Sequence, residues 1–172
     1  MYMAQALDAG DIIDQVITPI DPDESVETVH DRLAQLGGGL LAQVVERIGA
    51  GTAGRTPQDD SQATLAPMLS RAMSPIDWTM NAQAIHNKVR GLVPWPATST
   101  DILGSETVKI YATARTQLCT DKAPGTILSA GKEGIDVACG GGGVLRITPL
   151  QPAGSRRMSA ADYLRGHPVS VG

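Results

Sequence analysis

Between residues 102 and 150 the chain falls into short β-rich pieces: Ile102-Leu103, Val108 to Ala112, Thr126 to Leu128, Ile135 to Ala138 and Val144 to Leu150. Gly-containing turns separate them, and short strands at this spacing suit a small barrel. A domain of about 90 residues built this way can fold alone. Between two of the pieces stands Gly140-Gly141-Gly142-Gly143. A phosphate-binding loop would need a Lys-Ser or Lys-Thr and a helix after its glycines, whereas these run into a strand, so a hairpin turn is expected. Phe is absent and aromatics make up only 3% of the chain, which leaves a core of Leu, Ile, Val, Ala and Met and argues against platforms for stacked bases. Trp95, between Pro94 and Pro96, is expected to pack as a rigid core residue.

Helical signals flank this β-rich stretch. Ala82, Ile85, Val89 and Leu92 recur at helical spacing and stop before Pro94, with His86, Lys88 and Arg90 off the apolar face and His86 expected in solvent. Upstream, the β-branched run of residues 12–18 reads as a strand closed by Pro19 and Pro22. Asp21-Pro22-Asp23-Glu24 then supplies a cap, a proline and first-turn acids. Val26, Val29, Leu33 and Leu36 follow on one face, and Leu40, Leu41, Val44, Val45 and Ile48 continue it beyond Gly37-Gly38-Gly39. These glycines are expected to divide the segment into two helices with an exposed apolar stripe. From Gly49 to Ser61 glycines, Pro57 and paired aspartates mark a flexible exit and a domain boundary.

The net charge of −4 conceals an asymmetry: residues 1–80 carry four Lys or Arg against twelve Asp or Glu, a balance of −8, and residues 81–172 carry ten against six, a balance of +4. Only the second half therefore suits a polyanion. The chain has no 18-residue apolar run, and Asp8 and Asp11 stand where a signal peptide would be basic and then apolar, so neither membrane span nor signal peptide is expected and a cytoplasmic location is. Cys119 and Cys139 lack metal-ligand or redox spacing, and no metal is expected.

The run Gln151-Pro152-Ala153-Gly154-Ser155-Arg156-Arg157-Met158-Ser159-Ala160-Ala161-Asp162-Tyr163-Leu164-Arg165-Gly166-His167 ends a strand at Pro152 and Gly154 and sets two cations side by side. It then starts a helix with Ser159 as a cap. This run resembles the C-terminal signature of the methionyl-tRNA formyltransferase family. Asp77-Trp78, Pro94-Trp95-Pro96 and Ala123-Pro124-Gly125-Thr126-Ile127-Leu128-Ser129-Ala130 fall in that family's order, Ser61 to Pro67 resembles its interdomain linker, and Leu7-Asp8-Ala9-Gly10-Asp11 resembles the end of its catalytic domain. Met68, Ala72, Leu92 and Val93 depart from the family's usual residues.

The resemblance implies an α/β fragment, the end of a Rossmann-like formyltransferase domain over residues 1–55, then a linker over 56–77 and an OB-like open barrel with short helices over 78–172. It implies transfer of a formyl group from 10-formyltetrahydrofolate to the amine of methionyl initiator tRNA, with tRNA as partner and no membrane or obligate protein partner. The family's site resembles an Asn, His and Asp triad, and only the Asp has a counterpart, at Asp8. A carboxylate can orient a His and help to take a proton, but it cannot stabilise the tetrahedral oxyanion. The chain alone is therefore expected to be inactive. Lys109, Lys132, Arg146, Arg156, Arg157 and Arg165 are the expected tRNA contacts, Lys109 and Arg146 from strands. A non-enzymatic tRNA-binding module and a sugar-nucleotide formyltransferase are the alternatives.

Overall fold

The computed structural model describes residues 1–104 and 106–172. It divides into two compact units, one of residues 1–22 and 28–68 and the other of residues 23–27 and 69–172.

The first unit is dominated by helix α1, Val26–Gly49, whose first turn begins within the short segment assigned to the second unit. Glu27 in the first turn and Arg47 in the last match the helix dipole. Contrary to the expected break, α1 runs straight through Gly37-Gly38-Gly39. Each glycine weakens a helix interior by about 1 kcal/mol relative to Ala, which the good helix formers on both sides offset by propagating an existing helix. The helix ends instead at Gly49, and Gly51 beyond it, with φ of +71°, closes a Schellman motif: Thr52 N–H donates to the Arg47 carbonyl at 2.9 Å and Gly51 N–H to the Ile48 carbonyl at 3.1 Å. Val44 is buried, whereas Leu41 and Val45 are exposed.

The strand expected at residues 12–18 is not formed. Ile12 makes an isolated antiparallel bridge with Thr56, and beyond it Asp14 takes the Gln15 N–H on its own carboxylate at 2.8 Å and pairs with Arg47. A side chain that captures a neighbouring backbone donor competes with a ladder, and here the ladder has a single rung.

The second unit holds two four-stranded antiparallel sheets. One, in the order β1-β2-β7-β8, comprises β1 (Thr98–Thr100), β2 (Val108–Ile110), β7 (Pro149–Pro152) and β8 (Met158–Ser159). The other, in the order β3-β6-β5-β4, comprises β3 (Thr113–Cys119), β6 (Gly143–Ile147), β5 (Gly134–Ala138) and β4 (Ile127–Gly131). The chain passes from one sheet to the other at two places, residues 111–112 and Thr148, where Tyr111 N–H donates to Pro149 O and Thr148 N–H to Ala112 O. The piece expected as one strand from Val144 to Leu150 is thus two strands broken at that corner. No pairing among the described residues closes the sheets into a ring.

Ile102 and Leu103 are in a turn, not a strand, and Leu103 is apolar because it plugs the core. The core between these elements is aliphatic: Ile85, Ile110, Ile135, Leu145, Ile147 and Leu150 are fully buried. Cys139 lies in it as a free thiol, pushed up to about 11 by burial, and is therefore inert.

Helix α2, Ala82–Gly91, is capped by Asn81, whose side chain accepts from Ala84 N–H at 2.8 Å. Its first turn meets the β5–β6 hairpin at Gly140, which donates to both Trp78 and Met80 carbonyls at 2.9 Å. In that hairpin Gly141 and Gly142 both have positive φ, +73° and +77°, and Cys139 N–H donates to Gly143 O at 2.8 Å, so the glycine run forms the expected hairpin turn. His86 is not in solvent: it is 3% exposed, with Nδ1 3.0 Å from Thr113 Oγ1 and Nε2 3.1 Å from Asp23 Oδ1. The strand that covers it, β3, has six of its seven residues exposed or half-buried and so lacks the apolar alternation that would have announced it. Helix α3, Ala160–Gly166, is capped by Ser159, whose Oγ accepts from Asp162 N–H at 3.1 Å.

Candidate nucleic-acid interface

The sheet β1-β2-β7-β8 has one buried face and one open face, and its register determines which residues reach the open one. Val108 and Ile110 on β2 point inward, so Lys109 between them points out. Lys109 lies opposite Ser99 on β1 and Gln151 on β7, which makes a row of three across the sheet. Two residues on, Tyr111 donates its hydroxyl to Gln151 Oε1 at 2.7 Å, and Gln151 Nε2 donates to Ser155 O at 2.6 Å. Arg157 stacks on the Tyr111 ring, 3.7 Å from its centroid. The turn after β7 is thereby tied to the strand surface, and the guanidinium of Arg157 is oriented in advance.

Beside this row is a groove of about 610 Å³ lined by Arg71, Ser74, Trp95, Pro96, Ser99, Thr107, Lys109, Gln151, Pro152, Ala153 and Gly154. Its described lining contains two cations and no carboxylate, in a chain whose net charge is −4. Trp95 is 51% exposed there, which corrects the expectation that it packs in the core. The loop that carries it explains why: Leu92, Val93 and Ala97 are buried, and Ala97 N–H donates to Leu92 O at 2.9 Å. The base of the loop is fixed inside while Pro94 and Trp95 are held out. The tryptophan of the core is Trp78, whose Nε1 donates to Thr100 Oγ1 at 3.0 Å.

The other expected contacts are spread over different surfaces. Arg146 is on β6 in the second sheet, where Nε and Nη2 donate to the two Asp136 carboxylate oxygens at 2.7 and 3.0 Å, and Nη1 to Glu133 at 2.8 Å. Hydrogen bonding by the Arg146 guanidinium holds the Asp136 carboxyl below the usual carboxylate range, against the opposing effect of its burial. Ser129 adds a further donor to Asp136 at 2.9 Å. Arg146 is therefore committed to an intramolecular fork. Lys132 is exposed in the β4–β5 turn of that same sheet. Arg165 on α3 pairs with Asp162 at 2.8 Å, and Arg156 is exposed next to Arg157.

Asp8 belongs to the first unit. It is exposed in a turn with φ of +54°, and its carbonyl accepts from Gln58 Nε2 at 2.7 Å. The first unit contains no Asn, and its one histidine, His30, is exposed and beside Asp31. That donor set does not fit a formyl-folate site with an oxyanion to stabilise.

Of the groove, Lys109 is legible in sequence from its place between two apolar strand residues. Arg71 carries no such signal, because it stands on a 3₁₀ turn, Arg71–Met73, inside what reads as a connector.

A model of the formyl transferase C-terminal domain matches residues 68–168, which hold the whole groove. The methionyl-tRNA formyltransferase of Bacillus licheniformis is 40% identical over 172 residues, all of this chain and 54% of that protein. That of Trichlorobacter lovleyi is 42% identical over 172 residues, 53% of its length. The chain thus spans about half the length of the curated relatives it matches. Among solved structures, HypX from Aquifex aeolicus in complex with tetrahydrofolic acid aligns with a TM-score of 0.69 at 18% identity, over 98% of this chain and 29% of that one. An N-formyltransferase from Helicobacter canadensis, bound to folinic acid and dTDP-3-aminofucose, aligns with a TM-score of 0.64 at 18% identity, over 87% of this chain and 53% of that one. At such identity these two attest the fold alone. With a domain match over more than half its residues, the chain belongs to the formyltransferase family, as a carrier of its C-terminal domain.

Proposed function

We propose that this chain is the C-terminal part of a methionyl-tRNA formyltransferase and that its task is to hold tRNA. In this reading residues 1–55 end the catalytic domain, 56–77 form the linker, and 78–172 form the tRNA-binding domain, whose two sheets are the walls of an open OB-like barrel joined at the Tyr111 and Thr148 corners. The carrying observation is the groove, whose described lining holds Arg71 and Lys109 and no carboxylate, in the segment matched to the C-terminal domain. Cations arranged in this way neutralise phosphates and release their counterions. Arg157, held on Tyr111, extends the same surface towards the backbone of the bound RNA.

The complete enzyme would move a formyl group from 10-formyltetrahydrofolate to methionyl initiator tRNA in the cytoplasm. Asp8 would be the one residue of that reaction present here, with no partners for it in the first unit. The chain therefore binds tRNA and transfers nothing. A gel-mobility assay at low salt, paired with a formylation assay on the same protein, tests this: a shifted tRNA band with no formylated product is expected. Absence of a shift would end the binding claim, and formylated product would end the claim of inactivity.

A further inference from the structure

We infer that Trp95 is a stacking platform for an unpaired base, so that the groove distinguishes RNA with a single-stranded nucleotide at this point from continuous duplex. This rests on the reading of the groove as an RNA site and adds what the groove selects. The argument begins with the exposure of the ring. A tryptophan gains more than almost any other side chain by burial, yet Trp95 is 51% exposed, on a loop whose neighbouring side chains Leu92, Val93 and Ala97 are all buried. Pro94 and Pro96 fix φ on either side of it. A large apolar ring held out on a rigid support loses little conformational freedom when a planar partner covers it.

The surroundings of the ring specify the chemistry of that partner. The groove sets hydroxyls from Ser74, Ser99 and Thr107 and cations from Arg71 and Lys109 around the indole, and its described lining has no acid. An aromatic face beside cations and hydroxyls suits a nucleotide: base on the ring, phosphate on Lys109 or Arg71, ribose hydroxyl on the neighbouring polar side chains. A base inside a duplex has both faces covered and cannot stack here. Gln151 is occupied by Tyr111 and Ser155, so the groove supplies little hydrogen-bond readout of base identity, and it recognises an unpaired base more than a particular one.

The test compares wild-type chain with Trp95→Ala, Trp95→Phe and Lys109→Ala, each titrated with a short oligoadenylate and with a blunt RNA duplex of equal length. Trp78, buried on its hydrogen bond to Thr100, reports that each variant is folded. Trp95→Ala is expected to weaken oligoadenylate binding by about 5-fold to 100-fold and to leave duplex binding unchanged. Trp95→Phe should restore much of the loss, and the wild-type indole fluorescence should be quenched by the oligoadenylate and not by the duplex. Equal binding of oligoadenylate by wild type and Trp95→Ala, with Lys109→Ala still weakening both RNAs, overturns the stacking inference and leaves the RNA reading standing. If Lys109→Ala and wild type bind both RNAs equally, the RNA reading itself fails. Quenching by a proline-rich peptide with none by oligoadenylate would overturn the inference in favour of a protein ligand.

Discussion

Gly140 shows how one atom can decide the packing of the second unit. A Cβ there would stand 1.7 Å from the Thr79 carbonyl oxygen, so the contact between the β5–β6 hairpin and the start of α2 requires a residue with no side chain. Gly140→Ala should therefore destabilise the chain by about 1–3 kcal/mol or more, read as a lowered midpoint in urea. Gly141→Ala makes a useful comparison, because a Cβ at Gly141 meets no atom and only its φ of +73° resists the change. Asp136 gives a prediction in pH. Its folded-state carboxyl is held low, principally by the hydrogen bonds from Arg146. A depressed carboxyl contributes stability that is complete above the ordinary Asp range and is lost as pH falls through the folded value, below about pH 4. Asp136→Asn should lower the thermal midpoint at neutral pH and flatten the acid limb below pH 4, and an unchanged acid limb would show that another group governs it. Arg146 illustrates what sequence alone could not resolve: its place on a strand was legible, but the fork with Asp136 ten residues away depends on the β5–β6 register.

At the scale of elements, local chemistry was legible and tertiary contacts were not. Ser159 as a cap announced the start of α3, and in the structure its Oγ accepts from Asp162 N–H at 3.1 Å and donates to Asp162 Oδ2 at 2.8 Å. Ser159→Ala should cost about 1 kcal/mol, seen in thermal unfolding. Helix α2 was legible from the spacing of Ile85 and Val89, and the β5–β6 turn from its glycines. By contrast, β3 carries little apolar patterning of its own and exists because β6 pairs with it, so its residues read as loop. Missing β3 also misplaced His86, which is buried against Thr113 at the start of that strand. The division of α1 at Gly37-Gly38-Gly39 failed for the opposite reason: local propensity argued for a break, and cooperativity along a 24-residue helix overrode it.

Over the whole molecule, charge is the property that survives from sequence to surface. The surplus of cations in the second half was legible, but the groove was not, since it gathers segments near residues 71, 95, 109 and 151 that are far apart in the chain. Six cations were expected to act together, and the structure brings Lys109 to the groove, binds Arg157 to Tyr111 nearby, and commits Arg146 and Arg165 to carboxylates. RNA binding should thus depend on Arg71 and Lys109 more than on Arg146 or Arg165. The most direct test is the salt dependence of tRNA affinity for the full chain and for Arg71→Ala combined with Lys109→Ala. Loss of two phosphate contacts should weaken binding and make the slope of log K against log salt shallower by about 2. Equal affinity and equal slope for the double variant and the wild type would contradict the assignment of the groove as the place where this chain holds RNA.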